Sequence, residues 1–316
     1  MIERCILRHT LAFGLDWLAA MFDGVREIDQ LDILIALSTW NANTHHLDND
    51  LRSRNRVCFG SGVLPMEDRR GTSRSALARF LNLPVETVRR RVDILIAKRV
   101  MLERTDGLIS LVAGGMSDAR GVAIVRANTG AFARFYESLL ADGLDLAPAE
   151  WLEQLPGGDV QTRPEWTRAV MRSSAEFVLL ATSEALTAFG LGFSTLRVFL
   201  TVLRRNIADI DEPLTELRGI AMYPDHLRVA VTAADVRRTV RMPHATVRRK
   251  IVELKTRGMV IDVAGGLIVP GHVLQKPVYA TGLASHKAKQ VKRMFAALHA
   301  LSDYCGALEA HRIVHA

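Results

Sequence analysis

Two ten-residue strings hold the side chains of this chain best suited to directed chemistry: Leu83-Pro-Val-Glu-Thr-Val-Arg-Arg-Arg-Val92 and Met242-Pro-His-Ala-Thr-Val-Arg-Arg-Lys-Ile251. A guanidinium is a planar fork of N–H donors that meets two acceptors at once, on a phosphate or on the O6/N7 edge of guanine. A threonine methyl can contact thymine, and a glutamate can accept from the cytosine amino group. Arg89, Arg90 and Arg91, and their equivalents Arg248, Arg249 and Lys250, are therefore candidates for gripping a polyanion, with Glu86, Thr87, His244 and Thr246 beside them.

Helical spacing decides which way these groups point. Val88, Val92 and Leu95 recur on one face of the first string, and Val247, Ile251 and Leu254 on one face of the second, so that face is core. At about 100° per residue, Glu86 and Arg90 point away from it, flanked by Thr87, Arg89 and Arg91. The equivalents are Ala245, Arg249, Thr246, Arg248 and Lys250. Pro84 and Pro243 suit the first helical position, where the missing N–H has no partner anyway. Leu83 and Met242 are then left as poor N-caps.

The strings lie 159 positions apart, and the register holds without a gap from Ser73 against Thr232 to Ser110 against Val269. That regularity reads as an internal duplication. Each copy opens on a short helix, starting at Thr72 or Ser73 in the first, while Thr232-Ala-Ala-Asp235 has the form of a capping box in the second. Each closes on an apolar pair, a tight Asp106-Gly107 or Gly265-Gly266 turn and another apolar run, which spells a short β-hairpin. Arg104 in the first hairpin is placed to reach a phosphate or a minor groove, whereas the second hairpin has no cation, so the copies should not bind equally. Phe132, Phe135, Tyr136 and Leu139 fall on Val291, Met294, Phe295 and Leu298 at the same offset. Asp32 to Leu37 falls on Thr195 to Leu200 at an offset of 163, which brings Asn43 onto Asn206.

Around these motifs the pattern predicts helices over Leu11–Val25, from Ile28-Asp29 to His46, and over Thr129–Ala141, Pro148–Gln154 and Pro164–Phe189. Ile33, Leu34, Leu37 and Trp40 form the apolar face of the second. A basic amphipathic helix is expected from Ser285 to Tyr304, with Lys287, Lys289, Lys292 and Arg293 facing outward. Residues 47–70 read as loop with a short strand at Arg56–Phe59; Arg52, Arg54, Arg56, Arg69 and Arg70 there either track phosphate or are merely solvated. The expected fold is mainly α with small β-hairpins, in two units. Residues 1–145 carry a helix-turn-helix at 73–99 and a hairpin at 100–112. Residues 146–316 carry a long helix at 164–189, a helix-turn-helix at 232–257, a hairpin at 259–269 and a terminal helix at 285–304.

With 316 residues, 49% hydrophobic and 24% charged, the chain has the composition of a globular protein and the length for two domains with their own cores. Residues 73–112 carry eight cations against four acids, and residues 232–269 carry eight against three. Their joint excess of nine exceeds the whole chain's net charge of +7, so the rest is close to neutral. Cys5, Cys58 and Cys305 are isolated, which supports neither a disulfide framework nor a zinc site and fits a reducing cytoplasm. Arg8, His9 and Asp16 interrupt the apolar amino terminus and no small-residue cleavage pattern follows, which argues against a signal peptide. Phe177 to Leu200, broken at Gly190-Leu-Gly192, reads as two buried helices meeting at a turn rather than a membrane span.

His45-His46 beside Asp48 and Asp50 has no distant partner to complete a metal site. Gly60-Ser-Gly62 lacks the strand-turn-helix frame of a nucleophile elbow. Phosphate-binding loops, dinucleotide fingerprints and paired catalytic carboxylates do not occur, so neither an enzyme nor a cofactor is expected. Trp40, Trp151 and Trp166 suit core or interface packing better than an effector pocket.

The order helix, helix, helix-turn-helix, hairpin, helix, with the string Pro-x-x-Thr-Val-Arg-Arg, resembles the bacterial MarR-like winged helix-turn-helix regulators. As topology the likeness covers most of both halves; as residues it is confined to 73–112 and 232–269. MarR-like chains hold one unit and dimerise through terminal helices, whereas this chain holds two in tandem. The resemblance therefore implies a covalent pseudo-dimer acting as a sequence-specific transcriptional regulator in the cytoplasm, on the nucleoid. The hairpins would be wings, and the recognition helices would enter successive major grooves of double-stranded DNA, about 34 Å apart on an imperfect inverted repeat. Val85 against His244 and Glu86 against Ala245 make the half-sites unequal. Arg90 and Arg249 are the expected base readers, with Thr87, Thr246, Arg89, Arg248, Arg91 and Lys250 divided between bases and phosphates. No membrane is implied as a partner, and homodimerisation and an effector stay open. A plasmid- or phage-type replication initiator and a winged-helix protein-interaction module also fit tandem winged helices.

Overall fold

The computed structural model describes residues 2–25, 28–44, 66–112, 119–146, 164–210, 223–275 and 286–299. Among them the chain is mainly helical, with two small antiparallel strand pairs. In order these are α1 (Ile2–Gly24), α2 (Gln30–Thr44), α3 (Arg74–Phe80), α4 (Val85–Ala97), β1 (Met101–Glu103), β2 (Ile109–Leu111), α5 (Ala119–Ala141) and α6 (Pro164–Phe189). There follow α7 (Phe193–Ile207), α8 (Ala233–Val240), α9 (His244–Thr256), β3 (Ile261–Val263), β4 (Gly266–Ile268), α10 (Gly271–Leu274) and α11 (286–299). Two compact units draw on both ends of the sequence: one comprises residues 20–134, 145–183 and 291–316, the other 1–19, 135–144 and 184–290.

In the first of these units Asp29 starts α2, its carboxylate accepting from Leu31 N at 2.9 Å and its carbonyl from Ile33 N at 3.0 Å. Ile33, Leu34, Ile35 and Leu37 are buried from there on. Ser73 caps α3 by accepting from Ala76 N at 3.1 Å. The chain turns at Asn82 (φ 50°), and α4 buries Val88, Val92 and Leu95 completely. Burial of an aliphatic side chain of this size is worth about 1.5–3 kcal/mol, so these three residues fix the rotation of α4 about its axis. A second left-handed residue, Arg99 (φ 59°), ends the helix and leads into β1 and β2, where Leu102 faces Ser110. Phe132 of α5 meets Phe295 of α11 at 5.3 Å, and Ser183 of α6 donates to the Phe80 carbonyl at the end of α3.

The other unit repeats much of this local chemistry. Thr232 caps α8 by accepting from Asp235 N at 3.2 Å, and its hydroxyl donates to the Asp235 carboxylate at 2.6 Å. The expected capping box is therefore closed between side chains. Arg241 (φ 50°) turns the chain, α9 buries Val247, Ile251 and Leu254, and Gly258 (φ 65°) releases it toward β3. Helices α6 and α7 meet at 97° across residues 190–192, as the glycine break suggests. Arg257 satisfies the end of α6 by donating to the carbonyls of Phe189 (3.1 Å) and Gly190 (3.0 Å). α1 is long and apolar enough to cross a membrane. Within this unit, however, it carries Asp16 to a two-pronged pair with Arg204 (2.6 and 3.0 Å) and Arg8 to the carbonyl of Ile210 (2.9 Å).

Several expectations need correction. Pro84 and Pro243 are themselves the N-caps, at ψ of 135° and 139°, so Leu83 and Met242 are never asked to cap. The register is not gap-free to the end: Arg104 to Leu108 encloses three turn residues, whereas Val263 to Gly266 encloses two, which sets Ser110 beside Ile268 rather than Val269. Only Gly265 (φ 91°) sits in the second turn. Gly266 lies in β4, where a Cβ would come within 2.5 Å of the Val231 carbonyl oxygen. Helices α1 and α5 begin earlier than expected, and the short α10 was not foreseen. Lys287 does not face outward: it is 3% exposed and pairs with Glu184, while Lys289, Lys292 and Arg293 are exposed. The strand at 56–59, the helix at 148–154, His45-His46, Gly60-Ser-Gly62, Arg52, Arg54, Arg56, Cys58 and Cys305 lie outside the described residues.

Candidate nucleic-acid interface

The frame around each candidate helix is pinned by an asparagine near the end of α2 or of α7. Asn43, 1% exposed, uses its whole amide. Nδ2 donates to the carbonyls of Arg70 (2.6 Å) and Ile109 (3.5 Å), and Oδ1 accepts from Ser110 Oγ (3.0 Å) and Leu111 N (3.1 Å). Asn206, fully buried, donates to the carbonyls of Val229 (2.7 Å) and Leu267 (3.0 Å) and accepts from Val269 N (2.9 Å). Both residues clamp the hairpin and the segment entering the short helix onto one point. A side-chain amide that meets both donors and acceptors can do this inside a core where an unpaired polar group would be costly.

On that frame α4 and α9 present the same pattern of exposure. Glu86, Arg89 and Arg90 are exposed, as are His244, Ala245, Arg248 and Arg249, while Thr87, Arg91, Thr246 and Lys250 are half-buried. Among the described residues Arg90, Arg248 and Arg249 make no hydrogen bond or ion pair. Arg89 is committed: its Nε and Nη2 donate to the two carboxylate oxygens of Glu86 at 2.9 and 2.7 Å. The hydrogen bond from Arg89 holds the Glu86 carboxyl below its ordinary range.

The third cation of each string turns inward. Arg91 lies 3.2 Å from Asp32 and 3.6 Å from Asp29, on α2 and its cap. Burial pushes the Asp32 carboxyl upward and Arg91 opposes that shift. Lys250 pairs with Glu253 at 2.9 Å, and Glu253 also accepts from Thr195 of α7. Arg91 thus moors α4 to α2, and Lys250 holds the Glu253 carboxylate that ties α9 to Thr195 of α7, so both are less available to a partner than the sequence suggests. Arg104 is also engaged, donating to the Arg69 carbonyl at 2.6 Å and lying 3.3 Å from Asp106, so it braces the hairpin instead of extending from it. Arg69 itself donates to the Leu111 carbonyl at 2.7 Å.

Spacing alone did not reveal the supports. Arg74 joins Asp93 of α4 and Glu103 of β1, each at 3.0 Å, and Lys255 joins Asp262 of β3 at 2.7 Å. Opposite charges on adjacent elements were the available signal, but pairing them requires the turn geometry in advance. Trp40 is half-buried, and the side chains of Trp151 and Trp166 lie outside the described residues. What remains facing solvent on α4 and, separately, on α9 is a set of guanidinium groups beside one half-buried threonine. Such a set can neutralise phosphates and meet base edges. Comparison with protein-family models, curated proteins and solved structures gives no match. Function must therefore be argued from these side chains.

Proposed function

We propose that the chain is a sequence-specific, double-stranded-DNA-binding transcriptional regulator: two tandem winged helix-turn-helix units of MarR-like type, related by internal duplication and acting as a covalent pseudo-dimer. By sequence the two copies are the halves 1–145 and 146–316, α4 and α9 are the recognition helices, and the β-hairpins are the wings. The observation that carries this is the matched pair Arg90 and Arg249, solvent-facing and without a hydrogen bond or ion pair among the described residues, each opposite a fully packed apolar face. The matched left-handed turns at Asn82 and Arg241, and the matched asparagines Asn43 and Asn206, support the duplication.

On DNA the two helices occupy successive major grooves of an imperfect inverted repeat. Arg90 and Arg249 read bases, and Arg248, Thr87 and Thr246 divide between bases and phosphates. The chain works in the cytoplasm, on the nucleoid, without catalytic activity, cofactor or metal. The test is selection of bound duplexes from a random library by the full chain, followed by a genome-wide map of its sites. One imperfect palindrome upstream of genes is the expected result. Enrichment of tandemly iterated repeats at a replication origin would point to an initiator, and no enrichment would end the proposal.

A further inference from the structure

Arg89 and Arg248 occupy the same place on α4 and α9, yet only one is bound by its own helix. Glu86 holds Arg89 with both carboxylate oxygens, whereas Ala245 stands where Glu86 would be and Arg248 makes no hydrogen bond or ion pair among the described residues. All four positions are exposed, so the difference lies on the face offered to a partner and not in the core. We propose that Glu86 is a specificity-determining residue: it acts as an internal counterion that withholds Arg89 from DNA except where the first half-site presents a cytosine amino group that donates to Glu86 in place of Arg89. This deepens the DNA-binding reading above and rests on it.

The physical reasoning compares two partners for one carboxylate. An exposed pair one helical turn apart is weak, so it exchanges readily when a better donor arrives. Facing a cytosine amino group, Glu86 gains a hydrogen bond in the groove and releases Arg89 to a neighbouring guanine or phosphate. Facing guanine or thymine, whose major-groove edges offer no donor, the carboxylate must either keep Arg89 or stand unpaired, and the adenine amino group lies beside the N7 acceptor, which repels the carboxylate. The α4 motif therefore binds weakly but selectively. The α9 motif, with Arg248 and Arg249 both unengaged, supplies the less selective grip. Chain positions strengthen this division, since α8 carries exposed Arg237 where α3 has buried Ala78.

The experiment compares the full chain with Glu86→Ala, Glu86→Gln and Ala245→Glu. Each is titrated against a random-sequence duplex and a selected duplex over a series of salt concentrations. Because positions 86 and 245 are solvent-facing, melting temperatures serve only to confirm folding. Glu86→Ala should bind the random duplex about tenfold tighter, and its slope of log affinity against log salt should steepen by about one phosphate's worth, or roughly 0.9. Library selection should show the cytosine preference lost at one position of one half-site. Ala245→Glu should do the reverse, weakening the random duplex about tenfold and flattening the slope. Glu86→Gln, which keeps an acceptor but not the charge, should follow Glu86→Ala in slope. If the parent chain binds duplex with a steep salt response and the variants match it in affinity, slope and selected sequence, the role of Glu86 is refuted and the DNA reading stands. A parent chain with no salt-dependent binding removes both.

Discussion

At the scale of single residues, the buried polar groups separate the structural part of each motif from the part left for a partner. Asn43 and Asn206 are buried and engaged, and their removal would leave several backbone groups unpaired where water cannot reach. Asn43→Ala and Asn206→Ala should each cost about 3 kcal/mol, read as a lowered melting temperature. Loss much smaller than this in either would show that the clamp is ornamental. Arg90→Ala and Arg249→Ala should leave melting unchanged but cost about 1–3 kcal/mol in DNA affinity and relax selectivity at one base position each. Lys287 offers a pH test. Burial opposes ionisation of Glu184, but hydrogen bonds from Lys287, Gln290 and His286 together outweigh it and hold its carboxyl below the ordinary 4.5. A depressed carboxylate contributes stability above the ordinary value that is lost as pH falls through the folded value. Lys287→Met removes the leading partner and leaves burial to push Glu184 up, so stability at neutral pH should fall and the acid limb of a stability-against-pH curve should shrink. An unchanged limb would show that Glu184 is held by its other two partners.

At the scale of elements, what repeats along the chain was legible and what closes through space was not. The helices α2, α4, α7 and α9 announce themselves by apolar spacing, and the caps at Ser73 and Thr232 by residue type. The inward turn of Arg91 and Lys250 was hidden, because three adjacent cations look alike until Asp32 and Glu253 are placed beside them. The one-residue difference between the hairpins was hidden for a related reason: Gly265-Gly266 looks like a turn dipeptide, but the second glycine is required by a strand passing Val231. At Gly266, with φ 145° and a Cβ position 2.5 Å from a carbonyl oxygen, alanine should cost more than about 1 kcal/mol and loosen the β3–β4 hairpin. Alanine at Gly107, with a positive φ but open space around it, should cost less, so paired melting curves separate crowding from backbone preference.

At the scale of the whole molecule, each compact unit is built from three stretches of sequence, so the halves that the repeat suggests are not the bodies that pack. Sequence repeats report descent and local spacing, whereas packing depends on which apolar faces find each other. Phe13 stacking on Phe135 and Phe132 meeting Phe295 are pairings no spacing rule supplies. Separately produced 1–145 and 146–316 chains should each lack a cooperative thermal transition, checked by calorimetry, because each unit would be missing helices. Two sharp, independent transitions would count against the interleaving.

The same interleaving sets a timetable for the newborn protein. One body needs residues as late as 290 and the other draws on the stretch from 291 onward, while both use the opening helix. Neither core can seal until residues near 290 have left the ribosome, so the apolar helix α1 must wait, shielded or aggregation-prone, until those residues emerge.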